Sequence, residues 1–192
     1  MTPLLLASTS PQRRVILEQL GVPFEVAAPS YEEHDPPGLD PVEAIRLHAL
    51  GKARSVAAEA AGHLVLGVDT GVVLAGHVFG KPASAAEARA MLAALAGRVH
   101  EVVSGLCLIG PGFEVVEHEV TRVAFRPLTG SEIGRYIAAG EWEGRAGGYA
   151  IQGRGAALVT RIDGDYLNVV GLPGALLVRL LADRFPDVYS FG

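Results

Sequence analysis

Leu4-Leu5-Leu6-Ala7-Ser8-Thr9-Ser10-Pro11-Gln12-Arg13-Arg14 joins a short apolar run directly to a helix start. Four small or branched apolar residues in a row read as a buried strand. Ser10 suits a helix cap and Pro11 the first helical position, where its fixed φ and missing N–H cost nothing. Val15, Ile16, Leu17 and Leu20 supply an apolar face, and Gly21 stops the helix. Phe24-Glu25-Val26-Ala27 reads as a second strand. Strand, helix and strand in quick succession point to an α/β chain.

The rest of the sequence continues the alternation. Pro29 to Leu39 is a polar, acidic, Pro-rich loop, and Asp40-Pro41-Val42-Glu43 opens a helix with a capping-box pattern, running to about Ala61. Leu64-Val65-Leu66-Gly67-Val68 reads as a buried strand ending at Asp69-Thr70. Val72-Val73-Leu74 continues it and Ala75-Gly76-His77 turns. Ser84 to Leu95 is a third helix. Val99 to Ile109 and Glu114 to Arg126 read as long antiparallel strands joined through Gly110-Pro111-Gly112. Ser131 is expected to cap a helix over Glu132 to Ala139. Ala156 to Ile162 and Tyr166 to Val170 are expected to form a hairpin around Asp163-Gly164-Asp165, and Gly174 to Phe185 a closing helix. With no repeat and no linker, residues 1–192 read as one mixed α/β domain with long central strands.

Composition narrows the function. The chain is 49% hydrophobic and 19% charged, enough for a packed core. It carries 16 Lys and Arg against 21 Asp and Glu, a net charge of −5. Proteins that grip polymeric nucleic acid need a basic face, so that partner is not expected. Apolar runs are strand-sized, and the first residues lack the basic flank of a signal peptide. A cytoplasmic location with no membrane contact follows as the expectation. Cys107 stands alone within Gly105-Leu106-Cys107-Leu108-Ile109 and reads as a core residue. The six histidines show no zinc-type pairing.

Four segments carry residues suited to chemistry. Ser8 to Arg14 places hydroxyls and guanidinium groups at a helix N-terminus, whose free N–H groups and dipole favour anions. An ordinary capped helix with surface arginines fits the same pattern. It is not a Walker A loop, because that spacing is absent. Gly67-Val68-Asp69-Thr70-Gly71 puts a carboxylate at a strand end, where it either faces a cleft and holds Mg²⁺ or bonds its own turn. Lys81 in Phe79-Gly80-Lys81-Pro82 sits on a fixed backbone and either neutralises phosphate or is simply solvated. Gly147-Gly148-Tyr149-Ala150-Ile151-Gln152-Gly153 allows close backbone approach, and Gln152 can pair with an amide-like base edge. It reads equally as a Gly-rich turn. In the acidic loop Glu32, Glu33, His34 and Asp35 read as solvated, with one carboxylate available to share a metal with Asp69.

Taken in order, these segments resemble the Maf family of nucleotide pyrophosphatases. The likeness runs from Leu6-Ala7-Ser8-Thr9-Ser10-Pro11-Gln12-Arg13-Arg14 through Gly67-Val68-Asp69-Thr70 and Gly80-Lys81-Pro82. It continues through Leu95-Ala96-Gly97-Arg98-Val99-His100-Glu101-Val102 and residues 147–153, and ends with Asn168-Val169-Val170-Gly171-Leu172-Pro173. Each segment is modest, and the ordered set is specific. The resemblance implies a mixed, strongly bent sheet flanked by helices, with two lobes and a cleft. It implies hydrolysis of a nucleoside triphosphate between the α and β phosphates with a divalent cation, Mg²⁺ or Mn²⁺. By position, Asp69 is then the catalytic carboxylate and Lys81 acts with it. Ser8, Arg13, Lys52 and Lys81 line the phosphate end, and Glu33 joins Asp69 at the metal. Gln12, Thr70 and Gln152 form the specificity set. Tyr149-Ala150-Ile151-Gln152 resembles the branch acting on dTTP and UTP rather than 7-methyl-GTP. Two positions depart from the family: Gln12 stands where Arg is usual, and Arg145 where Lys is common.

The mechanism expected from this set is water attack on the α-phosphorus. Asp69 accepts the proton, the metal activates the water, and Lys81, Lys52 and Arg13 stabilise the pyrophosphate leaving group. Two other readings stay open: a house-cleaning pyrophosphatase for modified nucleotides, and a nucleotide-sensing regulator of cell division and septum formation. The partner is a small nucleotide. A homodimer is compatible with the long apolar strands and not required by them.

Overall fold

The computed structural model describes residues 4–36, 38–60 and 62–185. In chain order the elements are β1 (Leu4–Ala7), α1 (Pro11–Gln19), β2 (Phe24–Ala27), α2 (Pro41–Ala57), β3 (Val65–Leu74), β4 (His77–Phe79) and α3 (Ala85–Leu95). They continue with β5 (Val99–Gly110), β6 (Phe113–Phe125), α4 (Gly130–Ala138), β7 (Val159–Asp163), α5 (Tyr166–Val170) and α6 (Gly174–Arg184). Short 3-10 turns cover Ala146–Gly148 and Arg154–Leu158.

The strands make one seven-stranded mixed sheet, β2-β1-β3-β5-β6-β7, with β4 beside β3 off that path. β1 is parallel to β2 and β3, and the other pairings are antiparallel. The α/β class with a mixed central sheet and flanking helices is as expected. Length decides the next level. β3, β5 and β6 have 10, 12 and 13 residues, long enough to serve two separate apolar clusters. One is built on Leu4, Leu6, Ile16, Leu17, Leu106 and Leu177. The other is built on Leu92, Val102, Phe125, Tyr136, Tyr149 and Leu158. β3 gives Leu66 and Val68 to the first and Val72 and Leu74 to the second. Between them stand Asp69 and Thr70, half-buried in a strand whose other positions are buried.

Helix α2 crosses β3 and β5 at close range because glycines face it. A Cβ on Gly67 would lie 2.3 Å from Ala49 O, and one on Gly105 2.7 Å from Ile45 O. Backbone cannot yield as a flexible side chain can, so only glycine admits this approach. The contact face of α2 carries Ile45, Ala49, Ala53 and Val56, all buried, at the spacing of one helical stripe.

The structure corrects several expectations. Asp69 is not at a strand end: β3 continues to Leu74, with Asp69 opposite Gly105 and Thr70 opposite Ser104. Positive φ at Ala75 (51°) and Gly76 (79°) makes a tight two-residue turn, so His77 begins β4 instead of lying in the turn. Thr129, not Ser131, caps α4, in a reciprocal box with Glu132, the pairing that S/T-x-x-E offers. Ser10 is the N-cap of α1 but its side chain caps nothing: its hydroxyl donates to Gln12 Oε1 at 3.1 Å. α2 closes at Ala57 rather than near Ala61, which lies outside the described residues. α6 ends at Arg184, one turn position before Phe185.

The expected second hairpin is also overturned. Residues 154–158 are a 3-10 turn, and Tyr166–Val170 is a helix, α5. Asp165 caps it, accepting from Leu167 N at 2.7 Å. Asn168, fully buried, donates to Val102 O at 2.9 Å and to Thr121 Oγ1 at 3.0 Å. A strand would turn that amide away from the sheet it bonds. No described helix is long and apolar enough to cross a membrane.

Candidate active site

A cleft of about 880 Å³ opens where the two apolar clusters meet on β3. Its lining includes Ser8, Gln12, Arg13, Glu33, Lys52, Asp69, Thr70 and Lys81. These come from the β1–α1 junction, the acidic loop, α2, mid-β3 and the segment after β4. Eight of the nine sequence-selected positions therefore converge. Gln152 does not: it is exposed and lies outside the lining residues.

The floor of the cleft is an ion cluster. Lys52 Nζ donates to Asp69 Oδ1 at 2.5 Å and lies 2.5 Å from Glu33 Oε1. The Lys52 and Asp69 side chains are 14% and 15% exposed, whereas Glu33 is 52% exposed. The inner pair is thus shielded from water and the outer carboxylate faces it. Lys52 reaches Asp69 because the glycine contacts let α2 lie close over β3.

Arg13 is placed as a brace. Its Nε donates to Gly171 O at 2.9 Å, Nη1 to Ser8 Oγ at 3.0 Å and Nη2 to Thr70 Oγ1 at 3.3 Å. Thr70 Oγ1 also bonds Ser104 Oγ at 2.8 Å and donates to Gly171 O at 3.3 Å. One guanidinium thereby ties together the β1–α1 junction, β3 and the α5–α6 turn. Burial lowers its pKa, and the nearby negative charges of Asp69 and Glu33 oppose that shift.

The acidic loop is docked by residues that the sequence reading did not select. Tyr31 Oη bonds His48 Nδ1 at 3.1 Å, and His48 Nε2 meets Asp35 Oδ1 at 2.8 Å. Gly51 makes room, since a Cβ there would fall 2.2 Å from the Tyr31 ring. His48 and Lys52 are four apart on α2 and hold Asp35 and Glu33, two apart on the loop. That matched spacing was the available signal, because i and i+4 share a helix face.

The cleft lining also includes Lys81, Arg145 and Tyr149. Tyr149 is fixed from behind by His100, whose Nε2 lies 2.9 Å from the Tyr149 hydroxyl. His100 is buried against Phe125, and burial drives its pKa down to about 4, so it is neutral. Burial likewise pushes the Tyr149 hydroxyl up. Cys107 faces the core and plays no part in the cleft: burial drives its thiol up to about 12.

A family model described as Maf-like protein matches residues 3–184. The chain belongs to the Maf family. Close relatives of this Maf protein share its full length. One from Symbiobacterium thermophilum, named dTTP/UTP pyrophosphatase, is 48% identical over 192 residues, covering 100% of this chain and 99% of the relative. Proteins of the same name from Gloeobacter violaceus and Deinococcus radiodurans are 48% and 46% identical. They cover 94% and 98% of this chain and 95% of each relative. The crystal structure of a Vibrio cholerae protein aligns over 72% of this chain and 68% of that one, at 13% identity and a TM-score of 0.36, too distant to bear on the site.

A metal is implied by the family. Among the described residues no group of three or more His, Cys, Asp or Glu could hold one. Asp69 and Glu33, however, converge on a single cationic atom. Two carboxylates, completed by phosphate oxygens and water, are a donor set that suits Mg²⁺ or Mn²⁺. The residues present fit a cation that arrives with a triphosphate.

Proposed function

We propose that this chain hydrolyses nucleoside triphosphates, dTTP and UTP foremost, to the monophosphate and pyrophosphate. The observation that carries the reading is the Lys52-centred cluster of Asp69 and Glu33 in a cleft that Lys81 also lines. Support for the nucleotide comes from the full-length relatives that bear that activity in their names. A cytoplasmic location, where nucleoside triphosphates are held, is part of the same proposal.

Phosphoryl transfer needs positioning and charge neutralisation more than covalent chemistry. Asp69 Oδ2, the oxygen that Lys52 does not hold, is the base for the attacking water. Lys52 orients Asp69 through its hydrogen bond to Oδ1, while Arg13 fixes Ser8 and Thr70 at the cleft edge. Lys81 meets the negative charge that grows on the leaving pyrophosphate. Asp69 and Glu33 would hold the divalent cation, which supplies charge neutralisation on the triphosphate and a more acidic bound water. No Ser or Cys nucleophile is needed. For the base, Gln12 and Thr70 line the cleft, and Gln152 joins them as the third specificity residue only if its exposed side chain turns inward on binding.

Pyrophosphate release from dTTP, UTP, CTP, 7-methyl-GTP and modified pyrimidine triphosphates, with Mg²⁺ and then Mn²⁺, tests the reading. Fast turnover of dTTP and UTP, lost in Asp69→Asn, is expected. A preference for 7-methyl-GTP, or an active Asp69→Asn, overturns it. A preference for modified nucleotides supports a house-cleaning role instead.

A further inference from the structure

The cleft is lined by four cations, Arg13, Lys52, Lys81 and Arg145, and two of them are already committed. Lys52 is neutralised by two carboxylates, and Arg13 spends all three of its nitrogens on protein oxygens. A triphosphate brings several negative charges, so the free cations must meet them. Lys81 makes no ion pair among the described residues, and neither does Arg145. The Nε of Arg145 is buried with no hydrogen-bond partner. A charged donor left without a partner is costly and favours any anion that can complete it.

The backbone around Arg145 is fixed on both sides. Arg145 N donates to Trp142 O at 3.2 Å, and Arg145 O accepts from Gly148 N at 3.0 Å. Gly147 N donates to Gly80 O at 3.0 Å, which joins the Arg145 segment to the residue before Lys81. Gly147 holds a positive φ of 67°, and a Cβ there would lie 2.8 Å from Val72 Cγ2. The two free cations thus stand on adjoining, mutually bonded segments of one wall, preorganised without a ligand.

We infer that Arg145 is a substrate-binding residue that forms, with Lys81, a two-cation clamp on the pyrophosphate portion of the triphosphate. The planar guanidinium can grip two phosphate oxygens at once, while Lys81 acts as a point charge. The inference rests on the proposed triphosphate chemistry for its substrate, while its binding test does not.

The test uses the full chain and the variants Arg145→Met, Arg145→Gln and Arg145→Lys, each compared with wild type for melting temperature. Inorganic pyrophosphate and inorganic tripolyphosphate are titrated by calorimetry, with dTMP as the control, and steady-state kinetics are measured on dTTP. Arg145→Met and Arg145→Gln should bind both inorganic probes about tenfold or more weakly, bind dTMP as wild type does, and raise KM more than they lower kcat. Arg145→Lys should recover part of the loss. If the folded variants bind pyrophosphate and tripolyphosphate like wild type, or lose dTMP instead, the clamp is refuted. If wild type binds the inorganic probes through Arg145 but turns over no nucleotide, the clamp stands and the nucleotide reading falls.

Discussion

Lys52 Nζ on α2 stands 2.5 Å from Asp69 Oδ1 in the middle of β3. The pair links a helix to a strand across 17 positions of sequence, and its geometry depends on how close α2 lies. Within a shielded site each charge offsets the desolvation of the other. Removing either member strands the other's charge.

Lys52→Met should therefore cost both activity and stability. Turnover of dTTP is expected to fall by about 10²-fold or more. Stability should fall by about 2 kcal/mol, since partial exposure screens the pair. The double variant Lys52→Met/Asp69→Asn should regain much of that stability and none of the activity. Urea unfolding of the four proteins measures the coupling, and additive losses would mean that the contact contributes nothing.

Gly67→Ala tests how Lys52 comes to be there. The added Cβ would meet Ala49 O at 2.3 Å and Ala53 N at 2.7 Å, so α2 must shift. A loss of about 1–3 kcal/mol is expected, the range for overpacking a core. Activity should fall further than the folded fraction does, because Lys52 moves with the helix. A urea midpoint equal to wild type would show that the helix gives way without cost.

His100 sets a pH dependence of stability. Its folded pKa of about 4 lies below the ordinary value of 6.5, so the unfolded chain takes up the proton first. Between these values the unfolded state binds more protons, and stability rises with pH. Stability should be complete above about pH 6.5 and decline toward pH 4, by about 3 kcal/mol at most. His100→Gln should flatten that part of the curve. Urea unfolding at pH 7, 6, 5 and 4 decides, and parallel curves for the two proteins would remove His100 as the cause.

Cys107 should be inert in the folded protein. Its thiol is fully buried and held at about pKa 12, where the thiolate is scarce. A disulfide reagent such as DTNB should react fast in denaturant and very slowly in buffer at pH 8. Rapid stoichiometric labelling of the native protein would contradict the packing.

Much of the site was legible in the sequence because its parts are local. Ser8, Gln12 and Arg13 follow one strand-to-helix junction, and Asp69-Thr70 interrupt an apolar strand, so residue type and neighbours expose them. The α/β class and the long β5–β6 hairpin follow from apolar run length and turn residues alone. Asn168 misled for the opposite reason. Tyr166 to Val170 is rich in the aromatic and β-branched residues that strands favour, but the buried amide bonds β5 and Thr121 on β6, partners no local pattern contains.

By itself the sequence determined which residues could do the chemistry, since charge, hydroxyl and glycine content are written residue by residue. Only the tertiary structure decided what each is free to do. It commits Arg13 to bracing and Lys52 to two carboxylates, because packing brings their partners within hydrogen-bond reach from distant segments. It leaves Lys81 and Arg145 without an ion pair among the described residues, and it leaves Gln152 outside the cleft.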